Sequence, residues 1–124
     1  MAGNLDVIKK IRAAVGKRVL FIYIADKAER RGYLKDRVVV PSGRGPGKTA
    51  VPYWSVIDLI EFDHEPEPWI RITYYRKPKD RLIFAGQTTA TFRIREWRKL
   101  LLKAASDKPW FRDLVKDVMR GLRK

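Results

Sequence analysis

Apolar residues change their spacing several times along this chain, and each change marks a new element. Near the start, Leu5, Ile8, Ile11 and Val15 recur every three or four residues. Asn4, a good capping residue, precedes them, and Gly16, suited to a helix C-terminus, follows. The spacing predicts a short amphipathic helix. Residues 17–25 (KRVLFIYIA) are apolar on both faces and rich in β-branched and aromatic side chains, which predicts a central strand. A polar turn at 26–31 leads into a second strand over 32–40 (GYLKDRVVV). Residues 41–50 (PSGRGPGKTA) then break the pattern and predict a flexible basic loop.

Strand patterning resumes within 51–63, best placed at 56–62, and an acidic connection, HEPEP, occupies 64–68. Residues 69–76 (WIRITYYR) and 81–85 (RLIFA) flank Lys77-Pro78-Lys79-Asp80, a turn of hairpin length. A further extended stretch is expected over 87–92. Helical spacing returns with Trp97, Leu100, Leu101 and Ala104. Asp107 then caps a last helix with Pro109 in its first turn and the apolar stripe Phe111, Leu114, Val115, Val118, Met119 and Leu122. One helix, about five strands and two helices predict an α+β fold with a mostly antiparallel sheet. The 124 residues suit a single domain over 1–124, and no internal repeat is visible.

Charge changes the picture more than length does. The chain carries 28 Lys and Arg against 14 Asp and Glu, a formal charge of +14 at pH 7. So large a surplus on so small a body repels itself unless it meets a polyanion, and nucleic acid is the commonest. With no cysteine, disulfides and thiolate metal sites are excluded. No apolar run approaches the ~18 residues of a membrane span, so a soluble cytoplasmic protein without a membrane partner is expected. Asn4 and Gln87 are the only amide side chains, and scarce thermolabile residues among many charges match a thermophile's composition.

Candidate chemistry is sparse. Ser42 to Thr49 (SGRGPGKT) invites comparison with a phosphate-cradling P-loop, but Ser42 stands where that pattern needs glycine. Pro52 also falls where its helix should run. The acidic residues Asp58, Glu61, Asp63, Glu65 and Glu67 surround the lone His64, a set of ligand types that a metal-dependent nuclease uses. The Glu-x-Lys of such sites is missing, and Pro66 and Pro68 mark a solvated connection. Ser42, Ser55 and Ser106 have no recognisable base. No catalytic residues, no metal and no cofactor are therefore expected, and the chain reads as a non-enzyme.

The informative pattern interleaves cations with aromatics. Alternate residues of a strand share a face, so Trp69, Arg71, Thr73 and Tyr75 point one way, and Ile70, Ile72 and Tyr74 point to the core. By the same rule Tyr33, Lys35 and Arg37 share a face opposite Leu34 and Val38. Aromatic rings offer bases a stacking surface, and nearby cations hold phosphates, which favours single strands with their unstacked bases. Arg76, Lys77, Lys79 and Arg81 add a cationic hairpin tip, and Arg44 and Lys48 add a basic loop. Trp69 and Tyr75 are equally compatible with a place under a helix.

The element order, small size and stretches such as WIRITYYRKPKDRLIFAGQTTATF resemble the ThermoDBP-related group of archaeal single-stranded DNA-binding proteins. That resemblance implies a non-sequence-specific single-strand binder with an α+β fold that is not an OB barrel, acting as a homo-oligomer. DNA is expected over RNA, and a homodimer or higher homo-oligomer is expected. The alternatives are an RNA-binding or ribosome-associated protein, a charged protein-interaction module and, last, a small nuclease.

Overall fold

A computed structural model describes residues 4–22, 29–44, 51–85 and 93–123 of the chain. The elements run α1 (Asn4–Arg12), β1 (Arg18–Ile22), β2 (Glu29–Arg44), β3 (Pro52–Phe62), β4 (Trp69–Arg76), β5 (Ile83–Phe84), α2 (Ile94–Asp107) and α3 (Pro109–Leu122). The strands form one antiparallel meander in the order β1-β2-β3-β4-β5, with helices on both faces, an α+β architecture. Among the described residues no helix is long and apolar enough to cross a membrane.

Each face of the sheet has its own core. On one side α1 lays Val7 and Ile11 over Val39, Trp54 and Val56. On the other, Leu100 and Ala104 of α2 and Phe111 of α3 pack on Val38, Val40 and Ile57. A third cluster, Leu34, Ile60 and Phe62, closes the far end against Ala14 and Val19. The expected helical stripe of α1 is rotated, because Leu5 is exposed and Val7 is buried in its place. The sheet's second face also needs a cover, and Val7 and Ile11, with Ile8 partly buried beside them, supply it over Val39, Trp54 and Val56.

Several element boundaries differ from the pattern: β2 already begins at Glu29, β3 begins at Pro52 instead of 56, and β5 is only Ile83–Phe84 of the expected 81–85. β2 continues through Pro41 to Arg44, so the first half of the expected basic loop is strand, paired Pro41 to Trp54 and Arg44 to Pro52. Backbone pairing with β3 outweighs the local turn signals, and Pro41 and Pro52 are tolerated near the strand ends. The helix break lies at Lys108, the N-cap of α3, and Asp107 is still the last residue of α2. Pro109, which cannot continue a helix, sets that break. The extended stretch expected at 87–92 lies outside the described residues.

A β-bulge decides which side chains face which way. The register of β2 against β3 shifts between Leu34 and Asp36, leaving Lys35 as the extra residue. Leu34 pairs with Ile60 and Arg37 with Asp58, so both face α1, while Tyr33 pairs with Glu61 on the opposite side. Just before it, Gly32 pairs with Phe62, where a Cβ would run into the Glu61 carbonyl and the Phe62 Cα. Only glycine lets the two backbones close there.

Candidate nucleic-acid interface

The bulge overturns one expected surface. Tyr33, Lys35 and Arg37 do not share a face, and Arg37 is only 3 % exposed. Its guanidinium grips Asp58 with both ends, Nε to Oδ1 at 2.6 Å and Nη2 to Oδ2 at 3.0 Å. Its Nη1 donates to the Ile11 carbonyl at the end of α1 (2.8 Å) and to the Tyr75 hydroxyl (2.9 Å). Burial works against the charge on Arg37, but the Asp58 carboxylate outweighs it and raises its affinity for the proton. Arg37 is therefore a core residue that ties α1 to the sheet, and it does not lie on the open surface where sequence placed it. Asp58 likewise leaves the acidic run to which sequence assigned it, being fully buried between Arg37 and Arg71.

The alternation on β4 holds, but its face is partly covered. Trp69, Arg71, Thr73 and Tyr75 pair with Ile60, Asp58, Val56 and Trp54, and so lie on the α1 side. Thr73 is buried, and Tyr75 is half-buried against the α1 core. Arg71 donates to Asp58 through Nη2 at 2.9 Å and Nε at 3.2 Å. Beyond α1 the face opens. Trp69 is 43 % exposed and packs edge-on against Phe62, with ring centroids 5.7 Å apart. Phe84, 39 % exposed, sits 4.9 Å from the Tyr75 ring and under the Arg71 guanidinium at 5.0 Å.

Phe84 went unmarked in the sequence. Its strand is two residues long, too short to show alternation, and only pairing with Tyr75 places it on this face.

Cations gather at one end of the sheet. The pairs Arg44–Pro52 and Tyr53–Arg76, with a backbone bond from Lys77 to Pro52, set the end of β2 and the β4–β5 turn side by side. The start of α2 joins them, because Arg93 Nη1 donates to the Arg44 carbonyl (3.4 Å) and the Tyr53 hydroxyl donates to Glu96. Arg44, Arg76, Lys77, Lys79, Arg81, Arg93, Arg95 and Lys99 therefore share one rim. Of these, Arg76, Lys77, Lys79, Arg81, Arg95 and Lys99 form no ion pair with a described residue.

Arg93, in contrast, is held by Glu96 at 2.6 Å. Burial acts to raise the Glu96 pKa, but bonds from Tyr53 and Arg93 outweigh it and keep the carboxyl below its usual range. Burial and the same carboxylate push Tyr53 up to about 12.

The opposite end of the sheet mixes both signs. Glu61, Asp63, Glu65 and Glu67 lie on or beside the β3–β4 connection. There Lys35 meets Glu61 at 3.8 Å, and Arg18 meets Asp63 at 2.7 Å. Arg18 also covers the Tyr33 ring at 4.6 Å, so Tyr33, though exposed, sits far from the cationic rim and across the sheet from Trp69. Lys48 lies outside the described residues. No group of three or more His, Asp or Glu among the described residues is placed to hold a metal ion.

No family model matches the chain, and no curated protein and no solved structure is significantly similar to it. The case for a function rests on geometry and charge.

Proposed function

We propose that this protein binds single-stranded nucleic acid, DNA by preference, without catalysis and without strong sequence specificity. The observation that carries the reading is the convergence of cations from β2, the β4–β5 turn and α2 on one rim, those of the turn together with Arg95 and Lys99 having no ion partner among the described residues, beside the half-exposed Phe84. Phosphates would run along Arg44, Arg76, Lys77, Lys79 and Arg81. A base would stack on Phe84, whose ring is braced by Tyr75 and capped by Arg71. Trp69 lies on the same face but ~20 Å away, six residues along β4 from the Tyr75 that pairs with Phe84, at ~3.3 Å per residue, and next to the acidic connection. It takes a secondary part.

The test is titration of a labelled single-stranded oligonucleotide and its duplex, with and without magnesium, against the native chain and Arg76→Ala/Lys79→Ala/Arg81→Ala. Tight single-strand binding without cleavage, strongly weakened in the triple variant, is expected. Equal affinity in that variant would remove the rim from the interface, and magnesium-dependent cutting would revive the nuclease. Phe84→Ala should cost roughly 1–3 kcal/mol of binding, more than Trp69→Ala.

Self-association belongs to the same proposal. Leu114, Val118, Met119 and Leu122 of α3 are exposed, and symmetric homo-oligomers are the commonest way to cover such surface. Light scattering at moderate salt should give a mass of at least two chains, and a monomer mass would count against it.

A further inference from the structure

Residues 40–43 of β2 face the first turns of α2 across an open cleft of about 450 Å³, whose helix side carries Arg93, Arg95, Glu96 and Lys99. The size lies within the ~300–1,000 Å³ range of small-molecule sites. Its strand wall is apolar, with Pro41 reaching the surface and Val40, 4 % exposed, packed in the core behind it, while the Ser42 hydroxyl is already committed to Ser55 and the Val40 carbonyl.

The charges on the helix wall are not equivalent. Arg93 and Glu96 satisfy each other, and Tyr53 holds the Glu96 carboxylate from below, so that carboxylate is compensated. Arg95 and Lys99 are four residues apart, which sets them on one side of α2. Both are exposed, and neither forms an ion pair or hydrogen bond with a described residue. The cleft thus carries two uncompensated cations beside an apolar wall. Arg93, the N-cap of α2, gives the first turn no side-chain hydrogen bond, so the positive end of the helix adds to the field there.

We infer that this cleft is a nucleotide subsite. It takes one phosphorylated nucleotide, with the phosphate on Arg95 and Lys99 and the ring against Pro41. The inference rests on the strand-binding reading, since the cleft adjoins Arg44 on the cationic rim, but it adds a discrete pocket which that reading does not require. An acidic peptide would find the same cations, whereas the apolar surface of Pro41 beside them favours a ligand carrying both a ring and a phosphate.

Amide NMR of the full chain, titrated separately with thymidine 5′-monophosphate, thymidine and aspartate, tests this. The monophosphate should shift the amides of Ser42, Gly43 and Lys99 saturably, and thymidine and aspartate should do so far less. Arg95→Ala/Lys99→Ala, both on an exposed helix face, should keep the melting temperature. The pair should weaken the monophosphate at least about tenfold, as expected on losing two charge-assisted contacts. Arg95→Lys/Lys99→Arg should retain binding. No saturable shift, an equal response to thymidine or aspartate, or undiminished binding in the alanine pair would overturn the subsite.

The single-stranded oligonucleotide, titrated into the same samples, separates the two claims. Oligonucleotide binding without a monophosphate response overturns the cleft and leaves the rim standing. A monophosphate response without oligonucleotide binding supports the cleft and overturns the strand-binding reading.

Discussion

Asp58 is the residue on which the sheet and α1 both depend. It is fully buried and takes two guanidinium groups, and Arg37 in turn holds the last turn of α1 through the Ile11 carbonyl. Removing one partner of a buried pair strands the other charge, at about 3–5 kcal/mol. Asp58→Ala should therefore lose roughly that much stability in urea unfolding, and a loss below ~1 kcal/mol would show that Arg37 finds another partner.

Asp36 offers a pH handle on the opposite face. Burial acts to raise its pKa, but bonds from Lys108 (2.8 Å), Trp110 Nε1 (3.0 Å) and the Arg37 amide outweigh it, and the carboxyl titrates below its ordinary 3.8. A carboxyl depressed by folding contributes stability that is complete above the unfolded value and lost as pH falls through the folded one. Melting curves of the native chain and Asp36→Asn should differ most near neutral pH and converge as pH drops below 3.8. A gap independent of pH would show that the charge on Asp36 is immaterial.

At the level of elements, α3 is the least expected. Its sequence carries the clearest apolar stripe in the chain, yet only Phe111 is buried, and α2 is the one described element against which it packs extensively. Periodicity announces a helix with an apolar side but not what meets that side. Phe111→Ala should cost about 3–5 kcal/mol, the usual range for a buried aromatic. Val118→Ala and Leu122→Ala should stay within ~0.5 kcal/mol in dilute protein, as exposed positions do. Comparable losses at all three, growing with protein concentration, would mean that a second chain covers the stripe. The two-residue β5 teaches the converse lesson, because RLIFA announces a strand after the turn but two paired residues are too few to show which face Phe84 joins.

Taken whole, the molecule concentrates positive charge at one end of a meander and mixes both signs at the other. Strands that run antiparallel bring the β2 end, the β4–β5 turn and the start of α2 to one side and the acidic β3–β4 connection to the other. If strand binding neutralises ~5 phosphates, log K should fall with log salt at a slope of about −3 to −4 for single strands. The slope should flatten in Arg76→Ala/Lys79→Ala/Arg81→Ala, since each lost phosphate contact removes ~0.7 from it. A slope near zero in the native chain would remove the electrostatic basis of the proposal.

Local patterning by itself determined the element order, the α+β class and the alternation of β4, because helical and strand periods depend only on which neighbours along the chain are apolar. Composition likewise settled the surplus of positive charge. Tertiary structure decided the rest. A one-residue bulge at Lys35 turned Arg37 inward and separated it from Tyr33, and no spacing along β2 records it, because register exists only between two strands. Asp58 reads as one of several acidic residues until β2 and β4 bring Arg37 and Arg71 to it. The cationic rim has the same origin. Arg44, Arg76 and Arg95 are scattered in sequence, and only the pairing of β2, β3 and β4 and the docking of α2 set them together.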